Sequence, residues 1–362
     1  MNDLPRMTYD THDADVNPPT PVRTGWLGPS ETAVPDSGSD TMVTLPPDPS
    51  VRRYGDVRQL IADPANPTPL VRLNRVARPA AEAYLKLEWF NPFGSIKDRT
   101  ARYLLDGLEE RGELRGRELV EATSGNTGIA LAALAAAAGL KITVTIPSGV
   151  PEEKLVLLRM LGAEVMPTPD DLCPVDHPRD GAIALARAIA ESPRHAGLYA
   201  APNQYTNPDN VRAHYETTGP EIWAQTEGRI RTFVAGFGTC GTITGVGRFL
   251  KERDRSIRIV AVEPEKGHRL PGLKNLQESN TPAILDPSVI DDVVRVADEP
   301  AYAMTLRLFR EEALMAGPST GAIVHAMETL EGTAPSLTVG VSPDSGFKYA
   351  SFFAELIELP ES

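Results

Sequence analysis

The sequence predicts an α/β fold of mostly parallel sheets covered by helices on both faces. From residue 81 onward, strand-like runs alternate with helical stretches across short loops, the pattern of βαβ units. The runs TFVAG, IRIVAVEP and LTVGVSP are short and almost continuously apolar, as strands buried on both faces are.

In chain order, AYLKLEWF reads as a strand and SIKDRTARYLLDGLEERG as a helix with Ser95 as its N-cap. ELVEAT is the next strand. NTGIALAALAAAAGL is an Ala-rich helix, built from the strongest helix former. KITVTIP follows as a strand and PEEKLVLLRMLG as a helix. TFVAG leads through glycines into a helix, TGVGRFLKER, then the strand IRIVAVEP. A helix around AYAMTLRLFREEALMAG and the strand LTVGVSP with a helix behind it complete the pattern.

At 362 residues and 41% hydrophobic content, the chain can bury the core of two domains or of one large α/β unit. A net charge of −13 and a pI near 5.0 argue against a nucleic-acid-binding surface, which needs a basic patch. Two cysteines, Cys173 and Cys240, are too few for a disulfide framework or a tetrahedral zinc site, so no metal is expected. Cys173 with His177 is at most half a metal site and reads as loop. An acidic, Pro-rich start and the lack of a run of 18 apolar residues predict a cytoplasmic protein without a membrane span. Residues 1–54 are rich in Pro, Asp, Ser and Thr without helical or strand period, the mark of a disordered arm. Trp26 and Leu27 are its natural anchors if it docks.

Three strand-to-helix junctions carry polar chemistry. In GFGTCGTITG, Gly236, Gly238 and Gly241 match G-x-G-x-x-G, and Glu263 lies 22 positions after Gly241. A nicotinamide dinucleotide site uses this spacing, its acid binding the ribose. The same glycines, with Thr239 and Thr242, also suit a single phosphate. In NPFGSIKDR, Lys97 opens a helix, where the dipole disfavours its protonation and favours nucleophilicity. In EATSGNTG, backbone N–H groups and the side chains of Thr123, Ser124, Asn126 and Thr127 make a carboxylate cradle. One phosphate cradle, one carboxylate cradle and a helix-start lysine suggest pyridoxal phosphate with an amino-acid substrate. The extra polar loops would have no task in a nicotinamide enzyme.

The motifs SIKDR, TSGNTG, NQYTNPDN, GTCGTITG and PDSGFKY, in this order, resemble the cysteine synthase and cystathionine β-synthase family of fold type II pyridoxal-phosphate enzymes, and within it the O-acetylserine and O-phosphoserine sulfhydrylases. The resemblance runs from about residue 55 to the C-terminus. It implies a cofactor-binding domain of residues 55–100 and 202–362, and a small mobile domain of 101–201. By the family pattern Lys97 carries the cofactor as an aldimine and then takes the Cα proton. Loss of the β-substituent leaves an α-aminoacrylate, to which a sulfur nucleophile adds. The pattern sets Asn126 against the phenolic oxygen, and Gly238, Thr239, Cys240, Gly241 and Thr242 around the 5′-phosphate. It puts Thr123, Ser124, Gly125, Thr127 and Gln204 at the substrate carboxylate. Ser345 is expected at the ring nitrogen in preference to Asp344, since alternation turns only one of the two inward. Cys240 stands where the family commonly has Gly, which suggests a negative φ there. Lys274, with Arg269 as second candidate, resembles the basic residue that contacts phosphoserine. The resemblance further implies a homodimer. Cystathionine β-synthase is the rival activity, serine or threonine dehydratase a lesser one, and a catalytically dead binding protein the alternative of another class.

A Pro- and Asp-rich arm buries too little apolar area to hold a core together. Deleting residues 1–50 is therefore expected to leave turnover within about twofold and the melting temperature unchanged; a clear fall in melting temperature would show that the arm docks.

Overall fold

The computed structural model describes residues 53–77, 82–123, 125–169, 181–330 and 336–357. The N-terminal arm with Trp26 and Leu27, the Cys173 and His177 pair, and Ser124 lie outside the described residues.

The elements run β1 (Leu70–Arg72), β2 (Glu82–Leu87), α1 (Lys97–Glu110), β3 (Glu118–Ala122), α2 (Asn126–Ala138), β4 (Ile142–Pro147), α3 (Glu152–Met160) and β5 (Glu164–Thr168). They continue with α4 (Ala182–Glu191), β6 (Tyr199–Ala200), α5 (Asp209–Ala213), a π-helical turn (His214–Thr218), α6 (Gly219–Gln225), β7 (Ile230–Gly236), α7 (Gly241–Arg253) and β8 (Arg258–Pro264). Last come β9 (Asp292–Val296), α8 (Asp298–Glu312), α9 (Pro318–Thr329), β10 (Leu337–Ser342) and α10 (Ala350–Ile357). Every element read from the sequence is present, except that Trp89 and Phe90 fall in a short 3-10 turn rather than in the strand.

The strands form two sheets. One has the order β1-β2-β10-β7-β8-β9, with only β1 antiparallel, and the other has the order β5-β4-β3-β6, all parallel. Along β7 and β8, Phe233, Ala235, Ile259 and Ala261 pack with Val246, Phe249 and Leu250 of α7. Their neighbours Val234, Val260 and Val262 pack with Ala322, Ile323 and Ala326 of α9. This strict alternation explains the continuous apolar runs: side chains turn to both faces, and a helix covers each. α2 is buried over nearly its whole length, which is why it is apolar all round.

Below the start of α1 sits a fully buried charge cluster. Arg99 of α1 grips Glu88 with Nε at 2.7 Å and Nη2 at 2.9 Å, and it pairs with both oxygens of Glu221 on α6. Lys86 of β2 donates to Glu221 at 2.6 Å, to Gln225 at 2.8 Å and to the Thr68 carbonyl at 2.7 Å. All four charged side chains are completely shielded from solvent. Burial alone would raise the Glu88 carboxyl, but Arg99 outweighs it and holds it at about 2. Removing one member leaves an uncompensated buried charge, a change that costs about 3–5 kcal/mol. Glu221→Ala is expected to lower stability by about that amount in urea denaturation, while Glu→Ala at exposed Glu299 leaves the midpoint unchanged.

Candidate active site

A cavity opens where β7 and β10 end and α1, α2, α7 and α9 begin. Lys97, Asn126, Thr127, Lys154, Gln204, Gly238, Thr239, Cys240, Thr242, Lys274, Ser319 and Asp344 are on its wall. The carboxyl ends of parallel strands are where such sheets leave room for a ligand. Residues from all five sequence motifs, separated by up to 248 positions, meet there.

Lys97 is the first residue of α1; Ile96 holds the N-cap position and makes no side-chain cap bond, so Ser95, the cap expected from the sequence, sits one residue further out and accepts from the Lys97 N–H at 3.2 Å. The Ile96 N–H donates to the Pro343 carbonyl at 2.8 Å, which ties the lysine loop to the end of β10. Burial lowers the Lys97 amine, with Asp344 and Cys240 opposing that shift. Its Nζ makes no hydrogen bond or ion pair to a described residue. Desolvation is thus the main cause of the reactive amine, where the sequence suggested the helix dipole.

The glycine loop joins β7 to α7. The Thr239 hydroxyl accepts from Asn210 Nδ2 at 3.0 Å, and the Thr242 hydroxyl lies 3.3 Å from His214 Nε2. Burial pushes His214 down to about 3, so its ring is neutral and leaves the loop without added charge. A Cβ on Gly241 would come within 2.1 Å of Asn210 Oδ1, and one on Gly238 within 2.9 Å of the Gly272 carbonyl. The loop is packed so tightly from behind that only its open side is left for an anion at the start of α7. Cys240 corrects the sequence expectation: its φ is +67°, left-handed, not negative. The chain needs that turn to swing from strand into helix, so a side chain there carries strain of about 1 kcal/mol. Burial raises the Cys240 thiol to about 12. Glu263 does not serve a ribose; its carboxylate accepts from the Leu276 N–H at 3.0 Å and from Arg295 at 3.0 Å, holding the loop that carries Lys274.

The TSGNTG segment divides its labour. Thr123 is not on the cavity wall: its hydroxyl accepts from the N–H groups of Gly125 and Gly128, both at 3.0 Å, and so folds the start of α2. Gly125 has φ +125°, a backbone shape closed to other residues. Thr127 donates to Gln204 Oε1 at 2.5 Å, and Gln204 Nε2 donates to the Ala122 carbonyl at 2.8 Å. Behind them, buried Glu121 accepts from the N–H groups of Asn203 at 2.6 Å and Gln204 at 3.1 Å, which sets the Gln204 turn.

Lys274 lines the cavity with its Nζ 4.4 Å from the Tyr205 ring centre. Arg269 is not on the wall; its backbone is held by Asp298 and Tyr302. Ser345 is corrected as well. Its hydroxyl accepts from the Phe347 N–H at 3.1 Å and caps a 3-10 turn, while Asp344 faces the cavity. Ser319 and Lys154 are among the wall residues that sequence reading missed. Ser319 opens α9 right after Pro318, a helix-start signal in GPST that was passed over. Lys154 reaches in from α3, and no local pattern marks it.

Known proteins resemble this chain closely. The family described as pyridoxal-phosphate dependent enzyme matches residues 61–341. Cysteine synthase B of Salmonella typhimurium is 40% identical over 287 residues, 78% of this chain and 92% of that protein. Cysteine synthase of Aquifex aeolicus is 38% identical over 307 residues, 82% and 92% of the two chains. Among solved structures, an O-ureido-L-serine synthase superposes with a TM-score of 0.76 at 34% identity, covering 86% of this chain and 98% of that one.

A buried thiol with so high a pKa is nearly all protonated at pH 8 and unreactive. Cys240 is expected to remain unalkylated when the folded protein meets iodoacetamide at that pH and to react fully in urea, as peptide mass spectrometry would read.

Proposed function

Because the chain belongs to the pyridoxal-phosphate dependent enzymes and is of the cysteine synthase type, we propose that it replaces the β-substituent of an O-phosphorylated serine by a sulfur nucleophile, with O-acetylserine as the second accepted donor. The observation that carries this choice is the charge of the cavity wall: besides Lys97, which the cofactor takes, Lys154 and Lys274 stand against one carboxylate among the described residues, Asp344. In a protein of net charge −13, a dianionic substrate needs such local cations.

The residues fit the cofactor. The Lys97 amine is desolvated and without a partner among the described residues, as suits a lysine that captures an aldehyde. The loop from Gly238 to Thr242, open on one side only, suits a single phosphate. Bound there, pyridoxal phosphate supplies the electron sink that makes the substrate Cα–H acidic. The Lys97 amine would take that proton at its Nζ. Asn126 donates to the phenolic oxygen, and the Ser319 hydroxyl takes the ring nitrogen in place of Ser345. Ser124, Gly125 and Thr127, with Gln204, would hold the substrate carboxylate. Lys274 neutralises the leaving phosphate. In this reading residues 101–201 close over the substrate against the rest of the chain and exclude water. In this reading the enzyme is cytoplasmic and works as a homodimer; among the described residues no helix is long and apolar enough to cross a membrane.

Purified holoenzyme should turn over O-phosphoserine with sulfide. Lys274→Ala should cost that donor about 1.5–3 kcal/mol in kcat/KM, the range of a charged hydrogen bond, and leave O-acetylserine nearly unchanged. Equal losses for both donors, or no turnover of O-phosphoserine by the parent enzyme, would overturn the choice of substrate.

A further inference from the structure

The amide of Asn126 is set between two buried opposite charges. Its Nδ2 donates to Asp344 Oδ2 at 2.7 Å, and its Oδ1 accepts from Lys348 Nζ at 3.4 Å. Turning the amide over would point its oxygen at the carboxylate and its nitrogen at the ammonium, exchanging two attractive contacts for two repulsive ones. The two charges therefore select one orientation. Each is anchored in turn. Tyr349 donates its phenol to Asp344 Oδ2 at 2.5 Å, and Lys154 Nζ donates to that phenol at 3.0 Å. Lys348 Nζ also donates to the Phe93 carbonyl at 2.7 Å. Asp344 is 2% exposed and Tyr349 not at all. The second oxygen, Asp344 Oδ1, is buried without a hydrogen-bond partner and lies against Gly317, where an added Cβ would come within 2.2 Å of it. No space is left on that side for a ligand atom.

From this geometry we infer that Asp344, opposed by Lys348, is a positioning residue: it holds the Asn126 amide with its nitrogen fixed at the cavity wall. The chain Lys154–Tyr349–Asp344–Asn126 also crosses between the layers, since Lys154 and Asn126 belong to helices beside the second sheet and Asp344 and Tyr349 follow β10 of the first. Asp344 thus acts through Asn126 and not on the cofactor's ring nitrogen. The inference rests on the reading of Asn126 as the donor to the cofactor's phenolic oxygen.

The experiment is a double-mutant cycle on the holoenzyme, read by the cofactor's visible absorbance band and by its dissociation constant. Asp344→Asn keeps the shape and removes the charge, and should shift the band and weaken cofactor retention about tenfold, the scale of one charge-assisted hydrogen bond. In an Asn126→Ala background the same change should add less than about twofold, because coupled residues are not additive. Lys348→Met should shift the band in the same direction by a smaller amount, which keeps the test open if Asp344→Asn folds poorly. Additive effects of Asp344→Asn and Asn126→Ala would overturn the inference, as would a band insensitive to both Asp344→Asn and Lys348→Met. If Asn126→Ala itself leaves the band and the affinity unchanged, the reading of Asn126 fails and the inference with it. A band that responds to Asn126→Ala and to neither charge change sinks the inference alone.

Discussion

Arg99 anchors the structure. It lies two residues past Lys97 on α1, and its guanidinium is clamped by Glu88 and Glu221 in a space sealed from water. Two cations, Arg99 and Lys86, meet two carboxylates there, so the cluster is neutral as a whole, and Thr68, Gln225, Asn91 and the Ala62 carbonyl supply further hydrogen bonds. Such a cluster is poor evidence of stability, because desolvation takes back most of the attraction. What it supplies is geometry: α1 has one position relative to β2 and α6 in which all the charges are matched. That position delivers the Lys97 amine to the cavity.

The parallel sheets do the rest of the gathering. Strands that run the same way end at the same edge, so each strand-to-helix loop is brought to a common place whatever its distance along the chain. Lys97 and the glycine loop come from the first sheet's layers and Asn126 and Thr127 from the second's. The cavity lies at their shared boundary. A site divided in this way can be altered by any relative movement of the two layers, and the polar chain from Lys154 to Asn126 crosses that boundary.

Two of the four non-glycine residues with positive φ among the described residues lie at this edge, the others, Glu227 and Ala313, lying at the ends of α6 and α8. Cys240 and Asn203 both have positive φ without being glycine, and Gly125 has a φ open to glycine alone. Each sits next to a group that the proposed chemistry uses: Cys240 in the phosphate loop, Asn203 beside Gln204, and Gly125 beside Asn126. Strained conformations survive where their surroundings over-determine them. Here the surroundings are specific: Glu121 accepts from the Asn203 N–H, Thr123 from the Gly125 N–H, and Asn210 braces Thr239.

The sequence by itself determined the α/β class, most of the long elements, Lys97 at its helix start, the glycine turn before α7 and the polar start of α2. These are local matters of apolar period, capping and glycine spacing, and a few consecutive residues are enough to state them. It left out β1, β5, β6 and β9, whose residues are partly exposed or few, and the helices α4, α5, α6 and α9, whose apolar positions were not read as helices. The tertiary structure decided the sign of φ at Cys240, the inward turn of Asp344 rather than Ser345, the withdrawal of Thr123 into a helix cap, and the arrival of Ser319 and Lys154 at the cavity. Each of these depends on neighbours far away in the chain: Asn126 and Asp344 are 218 positions apart, and Lys154 and Tyr349 are 195 apart. A local pattern carries no record of such a partner, because the contact exists only after both sheets have packed and their strand ends have been brought to one edge.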